Sequence, residues 1–104
     1  MSVFGHVSVT REANIYLDGK VTSRTLTFAD GTTKTFGIMQ PGEYVFTTEA
    51  AELMEILSGT LEVRIGERGA RRSVHGGEAF KVSAATTFWM RATTLTDYCC
   101  SFLG

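Results

Sequence analysis

Short runs of β-branched and aromatic residues alternate with polar positions along most of this chain, and turn-forming pairs separate them. These pairs include Asp18-Gly19, Asp30-Gly31, Pro41-Gly42, Ser58-Gly59 and Gly76-Gly77. Evenly spaced turns between such runs are typical of an all-β sandwich or barrel. The segment "EAAELME" is too short for a persistent helix. The pattern predicts strands at Val3–Val9, Lys20–Phe28, Thr33–Met39, Glu43–Thr48, Leu53–Leu57, Leu61–Ile65, Glu78–Val82, Thr87–Arg91 and Tyr98–Phe102.

Strand alternation also predicts which side chains share a face. In "EYVFTT" one face carries Tyr44, Phe46 and Thr48, and in "ELMEIL" one face carries Glu52, Met54 and Ile56. A closed β structure of about eight strands has room inside for side chains or for one small ligand. Glu52 therefore stands out, because an inward carboxylate is costly unless something binds it.

Length and composition predict one domain over residues 1–104. Apolar residues make up 43% of the chain, charged residues 20%, and the net charge is −1. Such a balance lacks the basic surface that nucleic acids or anionic membranes attract. The start of the chain has no signal-peptide pattern, so we expect a cytoplasmic protein. The adjacent pair Cys99-Cys100 is too close for an ordinary disulfide, and on a strand one thiol points inward and the other outward.

Two short motifs resemble the cupin superfamily of double-stranded β-helix (jelly-roll) barrels. Gly42, Glu52 and Gly59 match its first motif, but Thr48 and Ala50 stand at the two histidine positions. In the second motif, which starts at Gly77, Ser83 takes the place of a proline, Ala85 of a glycine and Phe88 of the third histidine. The resemblance implies a cupin-like jelly roll that lacks the metal-binding histidines, so we expect no metal.

A closer resemblance covers nearly the whole chain. The stretches "IYLDGKVTSRTLTFADGTTKTFGIMQPGEYVFTTEAAELMEILSG", "GGEAFKVSAATTFWMR" and "DYCCSFL" are similar to the pyrimidine/purine nucleoside phosphorylase family of small metal-free cupins. This family is described as splitting purine and pyrimidine nucleosides with phosphate into free base and ribose 1-phosphate. The resemblance implies nucleosides and phosphate as substrates, no cofactor, and a homodimer; the apolar run Val3–Val9 is a candidate edge strand for its contact.

Such a reaction assigns roles to the inward candidates. Glu52 would stabilise the cation-like sugar, and Lys20 would hold phosphate with help from the Ser23 and Thr48 hydroxyls. Alternation does not decide which face of the 20–28 strand points inward. Arg24, Arg64 and Arg91 are the other phosphate candidates, whereas "GERGARRSVHGG" is expected to be a solvated polar turn. Candidates for contacting the base are Tyr44, Phe46, Met54, Phe88 and Tyr98.

The residues alone are also compatible with three other functions. The same interior would suit a cupin that binds a small sugar-like metabolite without catalysis, or an isomerase or lyase with Glu52 as general base. A third possibility is an interaction module whose barrel is filled by its own aromatic side chains. Phosphate-dependent release of a base separates the phosphorylase from all three.

Overall fold

The computed structural model describes residues 2–104 and is built almost entirely of strands. Within that range, no helix is long and apolar enough to cross a membrane. A single 3-10 turn spans Leu17–Gly19. The strands are β1 Ser8–Val9, β2 Asn14–Tyr16, β3 Val21–Thr27, β4 Thr33–Met39, β5 Gly42–Thr47, β6 Glu52–Ser58, β7 Thr60–Ile65, β8 Arg72–His75, β9 Ala79–Val82, β10 Thr87–Ala92 and β11 Thr96–Phe102.

The strands form two antiparallel sheets that pack face to face as a jelly roll. The larger sheet has the order β1-β3-β4-β11-β6-β9, with β2 also pairing with β3. The smaller sheet has the order β5-β10-β7-β8. Strands that are neighbours in sequence, such as β4 and β5, lie in different sheets, which is how this architecture encloses an interior. The expected all-β class is confirmed.

The core lies between the two sheets and consists of alternate residues from each strand. Met54 and Ile56 of the larger sheet are buried, as are Leu61, Val63 and Met90 of the smaller sheet. Their sequence neighbours point outward and are more exposed, as the period of two along a strand requires. The predicted inward set of Tyr44, Phe46, Thr48, Met54 and Ile56 is confirmed, with Phe46 partly buried against the core.

Most of the predicted strands are confirmed to within two residues, and β4 coincides with its prediction. The prediction of a strand over residues 3–9 is wrong for its first five residues, because pairing with β3 begins at Ser8. His6 has φ 55°, a left-handed conformation that a strand does not accommodate. Two short strands, β2 and β8, were not predicted.

Strand β8 replaces part of the predicted polar turn. It pairs with β7 alone, and of its four residues only Val74 is buried. Arg72 and His75 are exposed, so the segment has the composition of a loop although its backbone completes the sheet.

Candidate functional site

A cavity of about 520 Å³ opens between the two sheets. This volume falls within the range of small-molecule sites. Exposed side chains at its mouth are those of Tyr16, Thr47, Glu49 and Phe102. The rest of its wall consists of Val21, Ser23, Thr35, Met39, Phe46, Ala50, Glu52, Met54, Phe88, Met90, Tyr98 and Cys100.

Glu52 places a carboxylate in this mainly apolar wall. It is the first residue of β6 and lies opposite Val82 of β9 and Phe102 of β11. The Cys100 thiol donates a hydrogen bond to its Oε1, with 3.4 Å between sulfur and oxygen. Burial raises the pKa of Glu52, while the thiol hydrogen bond acts in the opposite direction. The lining contains no lysine or arginine, so the Glu52 carboxylate faces the cavity without a neutralising cation.

Aromatic rings from the smaller sheet form the wall opposite that carboxylate. Phe46 and Phe88 are cross-strand neighbours on β5 and β10, with ring centroids 6.2 Å apart and an interplanar angle of 35°. Tyr16 meets Phe46 edge to face, with centroids 5.9 Å apart and an angle of 86°. These rings continue from the buried wall to the mouth and present a surface on which a flat ligand can stack.

Tyr98 contributes a fourth ring, and like Tyr16 it belongs to the larger sheet. Its hydroxyl donates to the backbone oxygen of Thr22 at 3.2 Å, which fixes the ring across β4. Burial raises the pKa of Tyr98, so its phenol is neutral at physiological pH.

Six of the nine residues predicted to form the site line this one cavity. They are Ser23, Phe46, Glu52, Met54, Phe88 and Tyr98. Strand β3 thus turns Val21 and Ser23 inward and Thr22 and Arg24 outward, which sequence alternation had left undecided.

Tyr44 and Thr48 are buried but lie outside the cavity lining. The Tyr44 hydroxyl donates to the backbone oxygen of Gln40 at 2.5 Å. The Thr48 hydroxyl donates to the backbone oxygen of Ser83 at 2.6 Å and accepts from the Thr86 amide at 3.1 Å. Both hydroxyls are thus engaged in holding loops at the barrel ends.

The basic candidates for phosphate binding also lie outside the lining. Arg24 donates to the backbone oxygen of Arg11 on the outer surface, and Arg91 lies 3.9 Å from Glu62. Arg64 occupies the outward face of β7, opposite Trp89. Lys20 is exposed and directly precedes the lining residue Val21; its backbone is helical (φ −68°, ψ −28°), so strand alternation does not set the direction of its side chain.

Ten of the sixteen lining residues were not among the predicted site residues, and Tyr16, Cys100 and Glu49 are three of them. Tyr16 was not predicted as a site residue because β2 has only three residues, too few to show an alternating pattern. The aromatic side chain just before the Asp18-Gly19 turn was nevertheless a signal that could have indicated it. Cys100 follows the prediction that one thiol of the pair points inward, and Cys99 packs on the outer face between Phe36 and Glu55. Glu49 precedes β6 in a loop, where no periodicity applies.

The metal of typical cupins does not fit the residues of this site. At the positions of the three histidines stand Thr48, whose hydroxyl is already bonded to backbone, and Ala50 and Phe88, whose side chains have no donor atom. Within residues 2–104, no group of three or more His, Cys, Asp or Glu side chains is arranged to hold a metal ion.

The two sheets and the cavity between them have a cupin-like fold. A protein of unknown function from Acinetobacter sp. ADP1 has a similar structure, with a TM-score of 0.93 and 33% identity over 97% of this chain and 98% of that chain. A part of Bacillus subtilis oxalate decarboxylase shares the fold alone, with a TM-score of 0.73 and 16% identity over 98% of this chain and 30% of that chain.

The chain belongs to the pyrimidine/purine nucleoside phosphorylase family, whose family model matches residues 11–102. Relatives from Geobacter sulfurreducens and Geotalea daltonii are each 59% identical over 104 residues, with both chains covered completely. Both carry the name pyrimidine/purine nucleoside phosphorylase.

Proposed function

We propose that this protein is a nucleoside phosphorylase of broad specificity, a pentosyltransferase that converts purine and pyrimidine nucleosides with phosphate into free base and α-D-ribose 1-phosphate. The C1′–N bond breaks with its electron pair going to the base, and a phosphate oxygen bonds to C1′. The proton of hydrogen phosphate ends on the base nitrogen. Family membership supports this reaction, and the arrangement of Glu52 in the cavity gives it a physical basis.

The observation that carries the proposal is the unneutralised carboxylate in an apolar cavity. As the base leaves, positive charge develops on the sugar, as in glycoside cleavage. A fixed carboxylate in a site with little water stabilises such charge by about 3 kcal/mol. Glu52 also accepts hydrogen bonds from the ribose hydroxyls, which sets the sugar in place before the bond breaks.

We assign the base to the aromatic part of the cavity. Phe46 and Phe88, together with Tyr98, offer ring faces to a purine or a pyrimidine, and Met54 adapts to differences in size. Stacking accepts every base because every base has a π-face, whereas fixed hydrogen-bond donors would select among them. Broad specificity therefore follows from a wall with few polar groups.

Phosphate needs positive charge and hydrogen-bond donors, and the lining supplies mainly the latter. The Ser23 hydroxyl lies in the wall and accepts a hydrogen bond from Asn14 Nδ2 at 3.1 Å, so its own hydrogen can be donated to phosphate. The charged lining residues, Glu49 and Glu52, are both acidic. We assign the cation to Lys20, which is adjacent to the cavity wall in sequence and has no ion-pair partner within residues 2–104.

We expect Lys20→Met to raise the KM for phosphate about tenfold with little change in kcat, because one charge-assisted contact to an exposed anion is worth about 1.4 kcal/mol. Lys81→Met is the matched control, since Lys81 is exposed on the outward face of β9. Initial rates at varied phosphate measure the effect. An unchanged KM would remove Lys20 from the phosphate site.

The reaction itself is tested by phosphate dependence. Purified protein incubated with uridine and, separately, with adenosine should release uracil and adenine only when phosphate is present, with one ribose 1-phosphate per base. Chromatography measures the bases. Release without phosphate would indicate hydrolysis. No release from either nucleoside would refute the phosphorylase and favour a cupin that binds a sugar-like metabolite.

A further inference from the structure

We propose that Cys100 is a positioning residue for Glu52: its S–H group holds one carboxylate oxygen and directs the other toward the sugar. This role rests on the proposed function, because it concerns the same cavity. The thiol itself does not react and does not touch the substrate bond that breaks.

The geometry of two neighbouring strands brings the pair together. On β11, Cys100 lies between Thr35 of β4 and Met54 of β6, and its side chain points into the cavity. Glu52 lies two residues before Met54 on β6 and points to the same face. The distance from Cys100 Sγ to Glu52 Oε1, measured diagonally across the two strands, is 3.4 Å. Only 5% of Cys100 is exposed, so neighbouring side chains restrict the position of the sulfur.

Within residues 2–104, this thiol is the one hydrogen-bond partner of the Glu52 side chain, and no salt bridge reaches it. The other titratable side chains that line the cavity are Tyr16, Glu49 and Tyr98, and none of them is cationic. The orientation of the carboxylate therefore depends on Cys100 and on packing.

A thiol suits this task chemically. A lysine or arginine would orient the carboxylate but would also cancel the negative charge that the sugar cation requires. A thiol is a weak donor that leaves most of this charge available. Burial, together with the nearby Glu52 carboxylate, raises the pKa of Cys100, so the sulfur stays protonated and donates a hydrogen bond instead of acting as a nucleophile.

Two variants separate hydrogen bonding from packing. Alanine and serine at position 100 have nearly the same size, but only serine retains a donor. We expect Cys100→Ala to lower kcat about fivefold, since a hydrogen bond of this kind contributes about one kcal/mol. We expect Cys100→Ser to stay within about twofold of the unmodified protein by the same reasoning. Cys99→Ser controls for thiol loss in general, because Cys99 faces outward.

The pH profile supplies a readout that packing alone would not move. Loss of the donor destabilises the charged carboxylate and so raises the pKa of Glu52. The fall in kcat at acidic pH (the acidic limb of the profile) should therefore move to higher pH in Cys100→Ala but not in Cys100→Ser. Equal losses of rate in the two variants, with unshifted limbs, would overturn the positioning role.

A titration that needs no catalysis distinguishes failure of this inference from failure of the proposed reaction. In protein labelled with carboxyl-¹³C glutamate, the Glu52 signal is identified by its absence from Glu52→Gln. Its midpoint should lie at higher pH in Cys100→Ala than in Cys100→Ser. Coincident midpoints would refute the thiol contact even if the enzyme proved active, and separated midpoints would support it even if no nucleoside were cleaved.

Discussion

Replacement of Glu52 by glutamine is expected to lower kcat about 100-fold, because the neutral amide cannot stabilise positive charge on the sugar. Glutamine has the same length and still accepts a hydrogen bond from the Cys100 thiol, so the cavity should keep its shape. The change removes charge alone. Steady-state rates with uridine and adenosine at saturating phosphate measure the loss.

Glu55→Gln is the matched control for this variant. Glu55 lies on the same strand but on the outward face, opposite Cys99 and Ala79. The Glu55→Gln variant should retain full activity. A Glu52→Gln enzyme with the rate of the unmodified protein would place the catalytic charge elsewhere.

The pH dependence follows from the same carboxylate. Burial raises the pKa of Glu52, and the catalytic form is the charged one. Activity should therefore fall as the pH is lowered through this raised pKa, at a higher pH than for an ordinary glutamate. In Glu52→Gln this acidic limb should be absent from the residual activity.

Gly37→Ala is expected to destabilise the fold by about 3 kcal/mol, which corresponds to a fall in Tm of about 15 °C for a domain of this size. A Cβ atom at this position would lie 1.8 Å from the backbone oxygen of Thr22 and 2.7 Å from Cα of Ser23. Backbone atoms of a paired strand cannot turn away as a flexible side chain can. The same Thr22 oxygen accepts the hydrogen bond from the Tyr98 hydroxyl. Displacement of this oxygen by the new methyl group would therefore also disturb the Tyr98 ring in the cavity wall.

Gly5→Ala provides the control, because a Cβ at Gly5 would have no atom within 4 Å. It should leave the Tm nearly unchanged. Thermal or urea unfolding monitored by circular dichroism measures both variants. A Tm of Gly37→Ala within about 2 °C of the unmodified protein would mean that β3 and β4 can separate without cost.

Much of the fold could be predicted from sequence because the relevant signals are local. Turn pairs such as Asp30-Gly31 and Pro41-Gly42 limit the strands, and alternation in β5 and β6 places Phe46, Glu52 and Met54 on the inward face. Each of these inferences needs only a few consecutive residues. The face of these strands that points toward the core could therefore be predicted from the sequence.

The remaining parts of the site depend on contacts between distant segments. Tyr16 reaches the cavity because β2 pairs with β3, and a three-residue strand carries too little pattern to predict. Tyr44 is inward as predicted, yet its hydroxyl bonds to the nearby Gln40 backbone and it does not line the cavity. The contact between Glu52 and Cys100 joins residues 48 positions apart and depends on strand register. Alternation predicts the face of the sheet to which a side chain points, but it does not predict which distant residue that side chain contacts.

The most direct measurement is a crystal structure of the protein with ribose 1-phosphate bound. We predict that the sugar lies in the cavity with its hydroxyls within hydrogen-bonding distance of the Glu52 carboxylate and that the space beside Phe46 and Phe88 is free for a base. A sugar phosphate bound elsewhere, or a carboxylate turned away from it, would contradict the proposed site.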